Sequence, residues 1–336
     1  MESMNLSTAA CVRRVRASLP AEAFQPNTGR LWTVAIHAAI IGVSYATVRR
    51  LPAVGPVAAL VIGHSLACVA FIGHEASHQA VVRNRVARYA LECLLFGLNM
   101  VPPTMWNRLH NLTHHHHAGT PRDPDRPFLE TERSPLTTWY ARLFYPSSDR
   151  PKGYVLVLCH FVTYLGRNIA TVFYPDAKKP AIITSKPAYR PRERVIIAVE
   201  LLLMAALQYG VWVAVGRSWG NYLWVSPVAL CVTSAILMAY VFTQHFLNPI
   251  THDHDPLGGT TSVTVPRLID RWHGYFSYHT EHHLFPSMNT DYYPAVSEAL
   301  KRESGGRYQQ LPISEAWRRL WQQRMFRRVE GSAPGE

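Results

Sequence analysis

Seventeen histidines occur in 336 residues, and eight of them fall in three tight groups. His74 and His78 lie in GHEASHQ, His110, His114 and His115 in WNRLHNLTHHHHAGT, and His279, His282 and His283 in YHTEHHLFP. Imidazoles three or four positions apart project from one face of an α-helix, so each group can aim two rings at one point. Imidazole suits iron, copper, zinc and nickel, which leaves the metal open. Eight donors exceed what a single four-coordinate zinc takes, and three such helices converging could hold two ions. HEASH also fits the H-E-x-x-H of zinc proteases, in which Glu75 would activate water. That reading leaves the six other grouped histidines without a role.

Elements must carry these groups to one place. Residues 31–48 and 56–73 are each long enough to cross a hydrocarbon core, and RRLPAVG between them reads as a tight turn. A second pair follows at about 195–216 and 222–247, joined by a short connection containing Arg217. The fold class expected is an all-α integral membrane protein: four transmembrane helices in two hairpins, interfacial helices and a cytoplasmic histidine-rich cap. Two hairpins leave both termini on one side. Lys and Arg number 4 in residues 1–30, 17 in 74–194 and 10 in 248–336, against 3 in the two short opposite loops. This bias puts both termini and the central loop in the cytoplasm. All three histidine groups then share that side, as does His245 at the end of the last span.

Two further apolar pieces do not read as full spans. Residues 86–101 are short and end at Pro102 and Pro103, and 154–174 is interrupted by Gly166, Arg167 and Asn168. Both are expected as interfacial or re-entrant helices, the competing reading being a fifth span. The chain thus divides into a cytoplasmic segment (1–30), a membrane domain (31–300) and a basic amphipathic segment (301–336). In the last, Ile313, Trp317, Leu320 and Trp321 share a helical face suited to an anionic membrane surface or to docking on the cytoplasmic domain.

Lys and Arg exceed Asp and Glu by 34 to 22. The basic residues flank apolar spans and no nucleic-acid motif occurs, so nucleic acid is excluded as a partner. The five cysteines, Cys11, Cys68, Cys93, Cys159 and Cys231, are scattered and read as reduced thiols. His37, His160 and His273 read as packing or interfacial residues, and His64 as either packing or functional. Trp32, Trp219, Tyr222 and Trp224 read as interfacial anchors.

HEASH, HNLTHH and HTEHH, in this order and separated by the hairpins, resemble the three histidine boxes of the membrane fatty acid desaturase and hydroxylase superfamily. The resemblance runs from about Gly73 to about Met288, with WNRLHNLTHH, RDPD and YHTEHHLFPSM matching most closely. It implies a non-haem centre of two iron ions ligated by His74, His78, His110, His114, His115, His279, His282 and His283. A further ligand is expected near the end of the last span, where His245 in TQHF is preferred and His252, with Asn248 four residues before it, competes. The H-x3-HH frame favours His114 and His115 over His116 and His117. No H-P-G-G haem signature occurs in these residues, so the resemblance implies a separate electron donor of ferredoxin or cytochrome b5 type with its reductase.

Removing hydrogen from an unactivated methylene lies beyond any side-chain acid or base, so a metal must activate dioxygen as co-substrate. The activity expected is an oxygen-dependent desaturase of a lipid acyl chain. The alternatives are a hydroxylase or ketolase of a fatty acyl, carotenoid or other lipid on the same scaffold and, remotely, the zinc protease. Outer carboxylates, Glu75, Glu281, Asp123 or Asp125, are candidates to orient the ligand rings.

Overall fold

The computed structural model describes residues 8–149, 154–174, 182–184 and 187–331. The ends of the expected terminal segments, 1–7 and 332–336, therefore lie outside the described residues. The first hairpin is α2 (Arg30–Arg50) and α3 (Gly55–Ser77), preceded by α1 (Thr8–Ala17). Leu51 precedes Pro52 and takes an extended φ of −132°, which ends α2 and lets the turn start. α4 (Arg85–Leu98) is capped by Asn84, whose side chain accepts from the Val86 and Ala87 amides. The segment labelled α5, residues 103–117, is α-helical over Pro103–Trp106, π-helical over Asn107–His114 and α-helical again over His115–His117.

After α6 (Pro135–Phe144) and a 3-10 turn over Tyr154–Cys159 comes α7 (His160–Phe173). The second hairpin is α8 (Pro191–Ala214) and α9, residues 219–245, in which a π turn over Trp224–Val228 accommodates Pro227. Between them Gly216, at φ 82°, makes the left-handed turn that so short a connection needs. The polar end carries α10 (Arg267–Trp272), α11 (His279–Leu284), α12 (Tyr293–Glu303) and α13 (Ile313–Leu320). Two short parallel pairs join β1 (Phe128–Leu129) to β4 (Phe326–Arg327) and β2 (Ser262–Thr264) to β3 (Gln310–Pro312).

Among the described residues, five helices are long and apolar enough to cross a membrane: Arg30–Arg50, Pro52–Ser77, Leu156–Phe173, Pro191–Ala214 and Trp219–His245. Four coincide with the expected spans. The fifth is the segment expected as interfacial. Its polar interruption does not break the helix, because Arg167 and Asn168 are buried and bond to the Ile182 carbonyl at 2.5 Å and the Tyr164 carbonyl at 2.9 Å. The piece at 86–101 lies mostly in α4, Arg85–Leu98, which is not among the five.

α3 packs along both α2 and α9. α3 and α9 come close at Gly63, where a Cβ would lie 2.5 Å from Val232 Cβ and 2.6 Å from the Ala229 carbonyl. Small residues at such crossings let backbones touch without a hydrophobic driving force from water, and Thr233 adds a hydroxyl bond to the Gly63 carbonyl at 2.9 Å.

The terminal segments are part of the body. α1 buries Cys11 and Val15 against Val296 and Leu300 of α12. α13 buries Ala316 and Leu320 and donates from Trp317 Nε1 to the Ala239 carbonyl at 3.1 Å, so its apolar face docks on α9. The contact is with α9, where the sequence suggests an anionic membrane surface or the cytoplasmic domain.

Candidate metal centre

Nine imidazoles from four chain segments converge at the polar ends of α3 and α9, and they sort into two sets. His74, His78, His110, His115 and His282 form one, and His114, His245, His279 and His283 the other, with donor atoms in each set within 4.8 Å of one another. In the first, Nε2 atoms lie 2.8 Å apart for His74 and His110, 3.2 Å for His110 and His115, and 3.0 Å for His115 and His282. In the second they lie 2.6 Å apart for His245 and His279, 3.1 Å for His279 and His283, and 3.2 Å for His114 and His283.

The sorting follows from local helix geometry. His74 and His78 sit at the end of α3 one α-turn apart, and His279 and His283 sit one turn apart on α11. The middle group departs from the spacing argument, which pairs His110 with His114. A π-helix bonds i to i+5, so the ring sharing His110's set is His115, and His114 joins the other. Trp106 stacks on the His110 ring at 4.5 Å and fixes its plane.

Donor chemistry fits a pair of cations. Nitrogens about 2.0–2.1 Å from a common metal lie about 2.9–3.4 Å from each other, the range of most of these separations. His78 Nε2 is buried with no hydrogen-bond partner among the described residues, as expected of an atom reserved for a metal. Burial, reinforced by neighbouring imidazoles, holds His78, His110, His115, His279, His282 and His283 well below their usual 6.5, which keeps their lone pairs free. At His114 burial also disfavours protonation, but the carboxylates of Asp123 and Asp125 outweigh it and raise the ring.

Of the four outer carboxylates, Asp123 meets a ligand ring directly. Its Oδ1 lies 2.7 Å from His114 Nδ1 and accepts the Asp125 amide at 2.8 Å, while Oδ2 accepts the Gly119 amide at 2.9 Å. These bonds fix the carboxylate, which in turn fixes the ring. Asp125 lies further off, at 3.6 Å. Glu75 instead pairs with Arg30 at 3.3 Å, and Arg30 also holds Thr290 and Asp291. Glu281 accepts from Ser262 at 2.5 Å and from Tyr308, so it braces β2 rather than a ligand. Tyr293, which no spacing rule singles out, reaches His282 Nδ1 at 3.3 Å.

His252 and Asn248 belong to neither set. His252 is exposed, and Asn248 donates to the Gln244 carbonyl at 3.0 Å and accepts from Thr261 at 2.9 Å, closing the end of α9. His116 is exposed and His117 lies outside both sets.

A narrow cavity of about 60 Å³ touches both sets through His74, His110, His114, His245 and His279. It is walled by Phe161, Met238, Val241, Phe242 and Phe276, with Tyr145 and His160 also on its lining. A second apolar void of about 50 Å³ shares Trp106, Phe161, Met238 and Phe276 and continues toward Phe71 and Phe96.

Fold and site together define a helical protein with membrane-length helices and buried histidine clusters able to hold metal. Residues 51–313 match the family model described as Fatty acid desaturase, so the protein belongs to the fatty acid desaturase family. The chain is also 24% identical over 353 residues, spanning 97% of itself and 85% of the relative, to the Delta(12) acyl-lipid conjugase (11E,13E-forming) of Momordica charantia. Family and relative support a desaturase-type oxidoreductase with a lipid acyl substrate in a membrane setting.

Proposed function

We propose that this protein is an oxygen-dependent di-iron desaturase that introduces a double bond into a lipid acyl chain. The observation that carries the reading is the division of nine imidazoles into two adjoining sets that open onto one narrow apolar slot. His74, His78, His110, His115 and His282 would hold one iron, and His114, His245, His279 and His283 the other. When bound, the iron pair supplies the oxidising power drawn from dioxygen.

The chain's own residues do the rest. Phe161, Met238, Val241 and Phe276 confine an extended chain past both sets and keep water from it. Asp123 holds His114 in the tautomer whose Nε2 is free, and Tyr293 does the same for His282. The protease reading loses its general base, because Glu75 is engaged by Arg30.

Topology follows by parity. α3 and α9 both end at the cluster, so an even number of crossings separates them. α8 and α9 supply two, which makes α7 a helix that enters the body without crossing the bilayer. Four crossings then leave both termini on the cluster side, and the basic residues put that side in the cytoplasm. Electrons come from a separate ferredoxin or cytochrome b5 type donor, for which the cationic surface is suited.

The deciding experiment is lipid profiling of a host expressing the protein beside one expressing His282→Ala, under labelled dioxygen. A new double bond without label in the product, lost in the variant, is expected. Label retained in the lipid would replace desaturation by hydroxylation or ketone formation, and identical profiles would overturn an acyl substrate.

A further inference from the structure

Outside the two sets, a third group of metal-binding side chains lies among the spanning helices. His64 and Cys68 stand one turn apart on α3, and His273 follows α10. His64 Nε2 and His273 Nε2 are 3.2 Å apart, Cys68 Sγ is 4.0 Å from His64 Nδ1, and one donor atom from each of the three lies within 4.8 Å of the others. Tyr240 OH bonds His273 Nδ1 at 2.9 Å, which fixes that ring with Nε2 toward His64. His37 of α2 is wholly buried, and neither of its ring nitrogens has a hydrogen-bond partner among the described residues. Its ring lies 6.4 Å from that of His64 and 5.4 Å from Trp272, the neighbour of His273.

We propose that His64, Cys68, His273 and His37 form a separate site for a thiophilic four-coordinate ion of the zinc(II) class. A tetrahedral zinc with nitrogens at about 2.0–2.1 Å and sulfur at about 2.3 Å spaces its donors about 3.3–3.6 Å apart. One donor each from His64, Cys68 and His273 already lies within 4.8 Å of the others, and His37, 6.4 Å ring to ring from His64, must swing inward to complete the four. The thiol sets this site apart from the two imidazole sets, because thiolate favours zinc or copper(I) over harder ions. Binding displaces the Cys68 proton to solvent and involves no electron transfer. Ionisable groups within spanning helices are costly unless they serve such a purpose, and an unpartnered, fully buried His37 is otherwise unexplained.

The site is distinct from the acyl slot. Phe71 stands between, 5.3 Å from His273 and stacked on Phe276 at 4.4 Å, and Phe276 is 5.4 Å from His74. An ion here would clip α2 and the segment after α10 to α3, six residues before His74. Tyr240 acts as a positioning residue through His273.

The test uses the detergent-solubilised full chain, stripped of metal and loaded with cobalt(II), then titrated with zinc(II). Every donor of the two imidazole sets is nitrogen, so a thiolate-to-cobalt charge-transfer absorption cannot come from them, and its loss in Cys68→Ala separates this site from the other four cysteines. The wild type is expected to show it, to lose it on adding zinc(II), and to give one sulfur neighbour by zinc-edge X-ray absorption. Cys68→Ala should lack the band yet keep wild-type iron content. Tyr240→Phe should weaken zinc binding about 10–100-fold. No charge-transfer band in the wild type, or the same band in Cys68→Ala, overturns the site. If Cys68→Ala does not fold, the wild-type spectrum and sulfur count decide alone. Iron content is read separately, so failure here leaves the di-iron reading standing and the reverse also holds.

Discussion

His110 and His115 are five residues apart in sequence, and their Nε2 atoms are 3.2 Å apart, while His114 between them faces His283 at the same separation. The π-helical turn makes this pairing and puts adjacent histidines in different sets, which on the di-iron proposal would be ligands of different irons. His115→Ala should therefore depopulate one iron and His114→Ala the other, with desaturation lost in both. Iron counting with Mössbauer spectroscopy of each variant would show complementary losses; the same signal missing from both would contradict the assignment.

Asp123 touches no metal position, yet it holds His114. Asp123→Asn should lower activity or iron affinity about 10–100-fold while leaving the protein folded. Chelator competition on the purified variant measures the affinity term, and unchanged iron retention would remove Asp123 from the centre.

The pH dependence of the metal-free protein has a definite sign. Six cluster histidines are held well below 6.5 by burial, so the unfolded chain binds more protons than the folded one as pH falls past that value. Stability then rises with pH and is lost as pH drops through the unfolded pKa. Glu281, Glu92 and Asp270, pushed up by burial to about 7, about 7 and about 6, and His114, raised by its carboxylates, act in the opposite direction, but they are fewer than the lowered histidines. The melting temperature of iron-free protein should fall steadily from about pH 7.5 to about pH 5.5, and bound iron should flatten that slope by holding the rings deprotonated.

Met238 lines both voids beside the histidines. Met238→Trp should block the slot and abolish turnover on long chains with iron content intact. Retained activity with an unchanged product would place the substrate elsewhere.

At Gly63 any side chain meets α9. Gly63→Leu is expected to push α3 from α9 and cost about 1–3 kcal/mol, seen as a lower unfolding temperature in detergent.

Much of this architecture is legible in the residues alone. The four longest apolar runs are helices, and the i, i+4 pairs His74 with His78 and His279 with His283 share sets as α-helical spacing requires. The middle box is not legible, because H-x3-HH fits an α-turn and a π-turn equally well. The side chains that decide between them, such as Trp106 against His110, act through three-dimensional contact. Glu75 and Glu281 look like natural partners for neighbouring histidines, but their bonds run to Arg30, Ser262 and Tyr308, far away in sequence. His252 shows the same limit, since a histidine near a helix end carries no record of whether the chain turns toward the site. Amphipathicity shows that α13 has an apolar face to bury but not that the partner is α9, which depends on the Trp317 contact with the Ala239 carbonyl.

Two neighbouring pairs, His114 with His115 and His282 with His283, straddle the boundary between the sets. Each pair is a shared hinge: fixing one ring of it leaves its neighbour little freedom to wander. On the di-iron proposal, the first ion would bear most of the entropy of ordering both backbones and the second would find its ligands partly arranged, a bias that still leaves singly loaded ligand variants countable.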